Sequence, residues 1–192
     1  MKKLSPVLAS SILALAAAWP GTATAAPALD LVFNGIPAAN VGAMPATPAF
    51  TGWCDSSCFP TTQFPVYAAT GVQRGTAAVW GKAFAYGAGG SLCFSEFIAF
   101  KLDDGDLHVV SGPNGTCGAP MDPALKPPLH ADKGALVVIA GGGDGVIAGG
   151  TGRYKPWTGT FTDRVFVGFG APTSGVGGII YYDQLWFRVM PN

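Results

Sequence analysis

Charge is what this chain has least of. Eleven basic and eleven acidic side chains are spread over 192 residues, and no basic cluster offers an electrostatic footprint for nucleic acid. After the first 25 residues no apolar run approaches the roughly 20 residues a membrane-spanning helix needs. The two histidines, His108 and His130, lie at no recognised metal-ligand spacing, which argues against zinc. The glycine run Gly141 to Gly145 is followed neither by Gly-Lys-Ser/Thr nor by a helical pattern, and it lacks the acidic spacing of a calcium loop. It reads as a turn. No catalytic motif stands out, and no cofactor is implied.

What is abundant is glycine, at 28 residues, with 16 prolines. Such a composition disfavours long helices and favours many short strands joined at glycine corners. The N-terminus follows another pattern. Met1 to Ala25 has Lys2 and Lys3, an apolar run to Ala18, and Ala23-Thr24-Ala25 as a small-x-small cleavage site. That is the pattern of a secretory signal peptide cut after Ala25, and it predicts a secreted or periplasmic protein. The remainder suits one domain with a real core.

Four cysteines in an exported chain are an even set and are expected to pair. Of the three pairings possible, Cys54 with Cys58 and Cys93 with Cys117 are preferred. The first closes a small local loop, and the second ties a strand to the loop after the next. Trp53-Cys54 resembles the start of a thioredoxin site, but three residues separate the cysteines instead of two, which argues against redox catalysis.

Residues 26–70 show no clear period and carry prolines at 27, 37, 45, 48, 60 and 65. They read as an irregular Pro/Ala-rich arm with one short strand at Leu29 to Phe33, covering a sheet edge or a barrel mouth. Regular alternation begins after Gly71. Thr76 to Tyr86 places Trp80, Lys82, Phe84 and Tyr86 on one face. Ser91 to Leu102 places Leu92, Phe94, Glu96, Ile98, Phe100 and Leu102 together and runs through Asp103-Asp104-Gly105-Asp106 into Leu107 to Ser111, a hairpin. Gly112 to Lys133 reads as loop. Leu136 to Ala140, Val146 to Phe169 (a strand, a Gly-Gly-Thr-Gly turn and a second strand) and Ile179 to Met190 complete seven or eight strands. No helix is expected. The count suits an antiparallel sandwich or a closed barrel.

The order of motifs is more specific. Gly71-Val-Gln-Arg-Gly-Thr-Ala, then Ser91 to Phe100 leading into an acidic-glycine turn, then Val146-Ile-Ala-Gly-Gly-Thr-Gly-Arg-Tyr closed by Gly159-Thr-Phe, resembles the dirigent and allene oxide cyclase barrel superfamily. The resemblance spans Gly71 to Met190 and omits the arm. It implies an eight-stranded antiparallel barrel over 71–192 with an apolar interior, often assembled as a homotrimer. The activities it implies are cyclisation of an unstable fatty epoxide or steering of phenoxy-radical coupling. The shared motif is structural, so no catalytic residue is carried over from it.

Strand parity supplies the candidate site. Without a bulge, Glu96 shares a face with Phe94, Ile98 and Phe100; Asp163 with Phe161, Val165 and Val167; and Asp183 with Tyr181, Leu185 and Phe187. A carboxylate on a desolvated face is costly unless paired or hydrogen-bonded. Glu96, Asp163 and Asp183 are therefore candidate proton-transfer groups in a lumen, against a plainer reading in which Arg74, Arg164 or Arg188 pairs with each. Trp80, Phe84 and Tyr181, with Tyr86, Tyr182 and Trp186, are candidate lining residues for a flat or lipidic ligand, or else core or the buried face of a subunit contact. One bulge would invert the parity beyond it. Three functions fit: a secreted barrel binding a small hydrophobic, phenolic or lipidic molecule and steering its cyclisation or coupling; an isomerase or cyclase with a buried carboxylate; and a solid structural or surface-interaction barrel.

Overall fold

The computed structural model of the chain describes residues 26–36, 47–54, 59–122, 124–125, 134–171 and 178–192. Met1 to Ala25, where the sequence predicts a signal peptide, and Cys58 lie outside the described residues, and with Cys58 goes the pairing assigned to Cys54. Eight strands form a closed antiparallel barrel in sequence order: β1 (Leu29–Gly35), β2 (Phe59–Ala68), β3 (Gln73–Tyr86), β4 (Leu92–Leu102), β5 (Gly105–Pro120), β6 (Val137–Gly150), β7 (Gly159–Phe169) and β8 (Ile179–Pro191). β1 pairs with β8, Leu31 opposite Phe187, and closes the ring without leaving an edge.

The barrel therefore begins at Leu29, not at Gly71. The Pro-rich segment supplies two staves, because Pro60 and Pro65 lie in β2 opposite Trp80 and Thr76 of β3. It also supplies a helix, α1 (Pro48–Trp53). Thr47 accepts a hydrogen bond from the Phe50 N–H at 3.2 Å and Pro48 sits in the first turn, a favourable helix start. The helix lies on the outer wall, with the Phe50 ring 5.0 Å from Trp80 and 4.9 Å from Phe97. Lys82 fastens its end, donating to the Trp53 carbonyl and lying 4.5 Å over the Trp53 ring.

Two further expectations are corrected. Gly112 to Pro120 is strand, the second half of β5. The glycines 141 to 145 do not turn the chain: β6 runs straight through them. Their role is space. A Cβ on Gly141 would stand 2.4 Å from the Cys117 carbonyl oxygen, and one on Gly145 would stand 2.1 Å from the Val110 oxygen and 2.4 Å from the Phe161 ring.

The lumen is filled by alternate residues of every strand. Phe33, Phe64, Phe100, Phe161 and Phe187 are fully buried there with Leu31, Val79, Ile98 and Val109. One end of the barrel is sealed by the Gly-Gly-Thr-Gly-Arg-Tyr segment. Tyr154 donates from its hydroxyl to Asp104 at 2.6 Å, and Arg153 and Arg74 reach the same carboxylate at 3.2 and 3.4 Å. Thr151 accepts from the Asp106 N–H at 2.9 Å. Gly152, at φ 53°, passes where a Cβ would stand 2.4 Å from the Asp104 carbonyl. Thr151, Gly152, Arg153 and Tyr154 thus close the floor.

Candidate ligand-binding site

At the opposite end of the barrel the described residues line an apolar cavity. A vestibule of about 400 Å³ is lined by Tyr86, Gly90, Leu92, Pro120, Val137, Ile139 and Phe169. Inward from it, sharing Leu92, Ile139 and Phe169, a narrow throat of about 20 Å³ runs between Val79, Phe84, Phe94 and Val167 to Thr116 and Tyr182. That is room for about one water molecule. The lumen beyond is packed.

Where the throat ends, two bulges create a polar belt. β5 bulges between Ser111 and Thr116, opposite Glu96 of β4. The Glu96 N–H, deprived of a ladder partner, donates to the Ser111 hydroxyl at 2.7 Å, while Thr116 donates to the Glu96 carboxyl at 2.8 Å. Tyr182 makes a long contact of 3.5 Å to the other carboxyl oxygen. β8 slips by one residue between Gln184 and Trp186, which turns Gln184 inward. Gln184 donates at 3.0 Å to Asp163 on β7, and the Gly143 N–H of β6 donates to the other Asp163 oxygen. Such bulges commonly re-aim side chains beside functional sites.

Both carboxyl groups are fully buried. Burial, and next the negative charge of Asp163, raises the Glu96 pKa from 4.5 to about 8, against the opposing hydrogen bonds of Thr116 and Tyr182. Burial also raises Asp163, although Gln184, Gly143 and Arg164 work the other way. At neutral pH Glu96 therefore keeps its proton. A neutral carboxyl retains one acceptor oxygen and offers a hydrogen from the other.

Two of the three expected acids, Glu96 and Asp163, meet in the lumen. Asp183 does not. The bulge at Leu185 inverts parity, so Tyr182 and Gln184 share the interior with Phe187 and Val189, whereas Asp183 and Tyr181 point to the other face, buried there. Tyr181 packs over Gly168, whose Cβ would stand 2.2 Å from its ring. Trp80 is likewise on the outer wall, beneath α1. Of the expected lining residues, Phe84, Tyr86 and Tyr182 reach the cavity: β3 bulges between Lys82 and Ala85, with Ala83 at φ 55°, which swings Phe84 over Gly81 and stacks it 5.3 Å from Phe94. Gln184 and Thr116 went unrecognised in the sequence, because their positions depend on these bulges.

Cys93 and Cys117 form a disulfide across β4 and β5 at the throat, with Cα atoms 4.1 Å apart. This agrees with the pairing preferred from the sequence. Replacing both by serine is expected to lower stability by about 3 kcal/mol, the loop-closure value for such a separation; the denaturant midpoint reads it, and an unchanged midpoint would show the strands held without the bond. Among the described residues no group of three or more His, Cys, Asp or Glu is placed to hold a metal ion, and no helix is long and apolar enough to cross a membrane. No protein-family model matches the chain, and neither does a curated protein or a solved structure.

Proposed function

We propose that the protein is an exported barrel of the dirigent and allene oxide cyclase-like type that binds a small hydrophobic molecule, lipidic or phenolic, in its apolar vestibule. The observation that carries this reading is the apolar vestibule of about 400 Å³ narrowing onto two hydroxyl groups. Apolar walls with a few converging polar groups are the usual make-up of a small-molecule site. The walls supply desolvation, and Thr116 and Tyr182 orient the end of the ligand that enters furthest. A cross-strand disulfide suits an oxidising compartment.

The test is binding of the uncharged dye Nile red and its displacement by fatty and phenolic compounds. Ile139 lines both vestibule and throat, so Ile139→Trp is expected to fill them and weaken the dye at least about tenfold. Equal affinity in wild type and variant would sink the reading. Native mass spectrometry of the protein purified from its own host, without organic solvent, would give the mass of any retained ligand.

A second reading is favoured by the Glu96–Asp163 pair. A carboxyl that keeps its proton near neutrality is suited to general acid–base work. Glu96 has no exposed surface, so its proton reaches the throat through the Thr116 or Tyr182 hydroxyl it touches. An isomerisation or cyclisation would draw a proton there and return one, leaving the protein as it began. Loss of turnover with retained binding in Glu96→Gln would support this reading; unchanged turnover would exclude it.

A further inference from the structure

We infer that the polar belt is a site for the ammonium group of an amphiphilic amine, whose apolar body lies in the vestibule while its cationic head closes the throat. The inference rests on the ligand-binding reading for the place of the body, and deepens it by naming the head. It is carried by which hydrogens in the belt are already committed, and by the sign of the charged groups that the barrel buries.

At its inner end the throat meets the Thr116 and Tyr182 hydroxyls. A hydroxyl has one hydrogen to give and two lone pairs. Thr116 gives its hydrogen to the Glu96 carboxyl at 2.8 Å, and Tyr182 directs its own to the other carboxyl oxygen at 3.5 Å. What these groups keep for a ligand is lone pairs. Gln184 adds a further acceptor. Its amide nitrogen donates to Asp163 at 3.0 Å and to the Arg164 and Trp186 carbonyls at 3.1 and 3.2 Å. Reversing the amide would set its oxygen against three acceptors, so the orientation is fixed. Gln184 Oε1 is then a fully buried acceptor with no donor, a state that is costly until a hydrogen reaches it.

Charge points the same way. Glu96 and Asp163 are fully buried, whereas no described lysine or arginine is. His108, a buried base, stands on the outer wall against Phe97. Arg164 is exposed and donates to the Asp163 backbone carbonyl at 2.8 Å, Asp144 is exposed, and Asp183 faces away from the lumen. A buried carboxylate calls for a cation beside it. An ammonium brings that charge with three hydrogens, and it is about the size of the one water molecule for which the throat has room. A carboxylate head would add lone pairs and a like charge to a belt already rich in both. A hydroxyl head supplies a single hydrogen and no charge.

The test is displacement of Nile red by octylamine, octanol and octanoate, which share a chain and differ in the head, followed by calorimetry of octylamine in buffers of different ionisation enthalpy. Octylamine is expected to displace the dye at least about tenfold more effectively than octanol, with octanoate the weakest. Glu96 holds its proton near neutrality, so a cation taken up beside it releases that proton. Of the other titratable groups that face Glu96, Asp163 comes from β7 and Tyr182 from β8; an alkylammonium itself stays charged in this range. Octylamine affinity is therefore expected to rise up to about tenfold from pH 6 to pH 7, with proton release in the calorimeter, while octanol affinity stays level. Glu96→Gln is expected to abolish the release and to bring octylamine within about twofold of octanol; the ranking of heads and the pH slope need no variant. Octanol matching octylamine on the wild type would overturn the proposal and make the belt a hydroxyl site. Octanoate matching octylamine would overturn it too, as would amine binding without proton release. If the wild type takes up no Nile red, the vestibule reading falls and calorimetry decides the belt by itself: octylamine binding with proton release would uphold the ammonium site, and no binding would overturn it as well.

Discussion

Glu96→Gln is expected to remove most of the pH dependence of stability between about pH 5 and pH 8 and to make the variant the more stable protein at the alkaline end. The folded-state pKa of Glu96 is about 8 against an ordinary 4.5. The native state thus holds a proton that the unfolded chain releases. Its contribution is fully present below the unfolded value and is lost as pH rises through the folded one. At about 1.4 kcal/mol for each unit of pKa, wild type gives up roughly 4 kcal/mol over that range. Glutamine keeps a carbonyl for the Thr116 hydroxyl and has no proton to lose, so its curve stays near the acid plateau. Asp163 is also raised by burial, and its own loss with rising pH leaves a smaller slope of the same sign. Chemical denaturation at several pH values reads the effect. Parallel curves for wild type and variant would mean that Glu96 is ionised and compensated in the folded barrel, and with that the acid–base reading would fall.

The strand periods of β3, β4, β7 and β8 were legible in the sequence because alternation of large and small side chains is a local property, and with them the barrel. The short strand read at Leu29 to Phe33 is β1, but its place in the ring, between β2 and β8, was not legible, and β2, which contains two prolines, carries no strand signal of its own. The glycines of β6 misled for a related reason. Glycine punctuates a chain when a positive φ is needed, but Gly141 and Gly145 are required for clearance from the facing strand and core, a tertiary cause that no local pattern reveals.

The same distinction explains the site. Glu96 and Asp163 were found because each shares parity with aromatic and aliphatic neighbours on one uninterrupted stretch. Asp183 was misplaced, and Gln184 missed, by one bulged residue at Leu185. Phe84 was placed on the face of Trp80, and the bulge at Ala83 separates them. Bulges carry weak sequence signals and invert everything beyond them. Here three of them lie along the path from vestibule to polar belt.

The packing beneath that belt decides how deep a ligand can go. Phe33→Ala is expected to lower stability by about 4 kcal/mol, in the range for truncating a fully enclosed phenylalanine. The Phe33 ring lies 5.5 Å from Phe100, 5.9 Å from Phe187 and 6.0 Å from Phe64, and it stacks on Tyr182 at 6.1 Å and 11°. The space left behind is walled by hydrocarbon and would stay dry. Tyr182 would lose the ring that holds its plane, and with it the long contact to Glu96, one of the two hydrogen bonds that restrain the Glu96 pKa. The variant's stability should therefore go on falling to a higher pH than that of wild type. Phe33→Leu keeps most of the volume and should restore both stability and the wild-type pH limit. Denaturant midpoints measured across pH for both variants read these effects together. A cost below about 1 kcal/mol for the alanine variant would mean that the lumen collapses readily around the missing ring, and a barrel that soft could admit a ligand past the belt without any opening of its own.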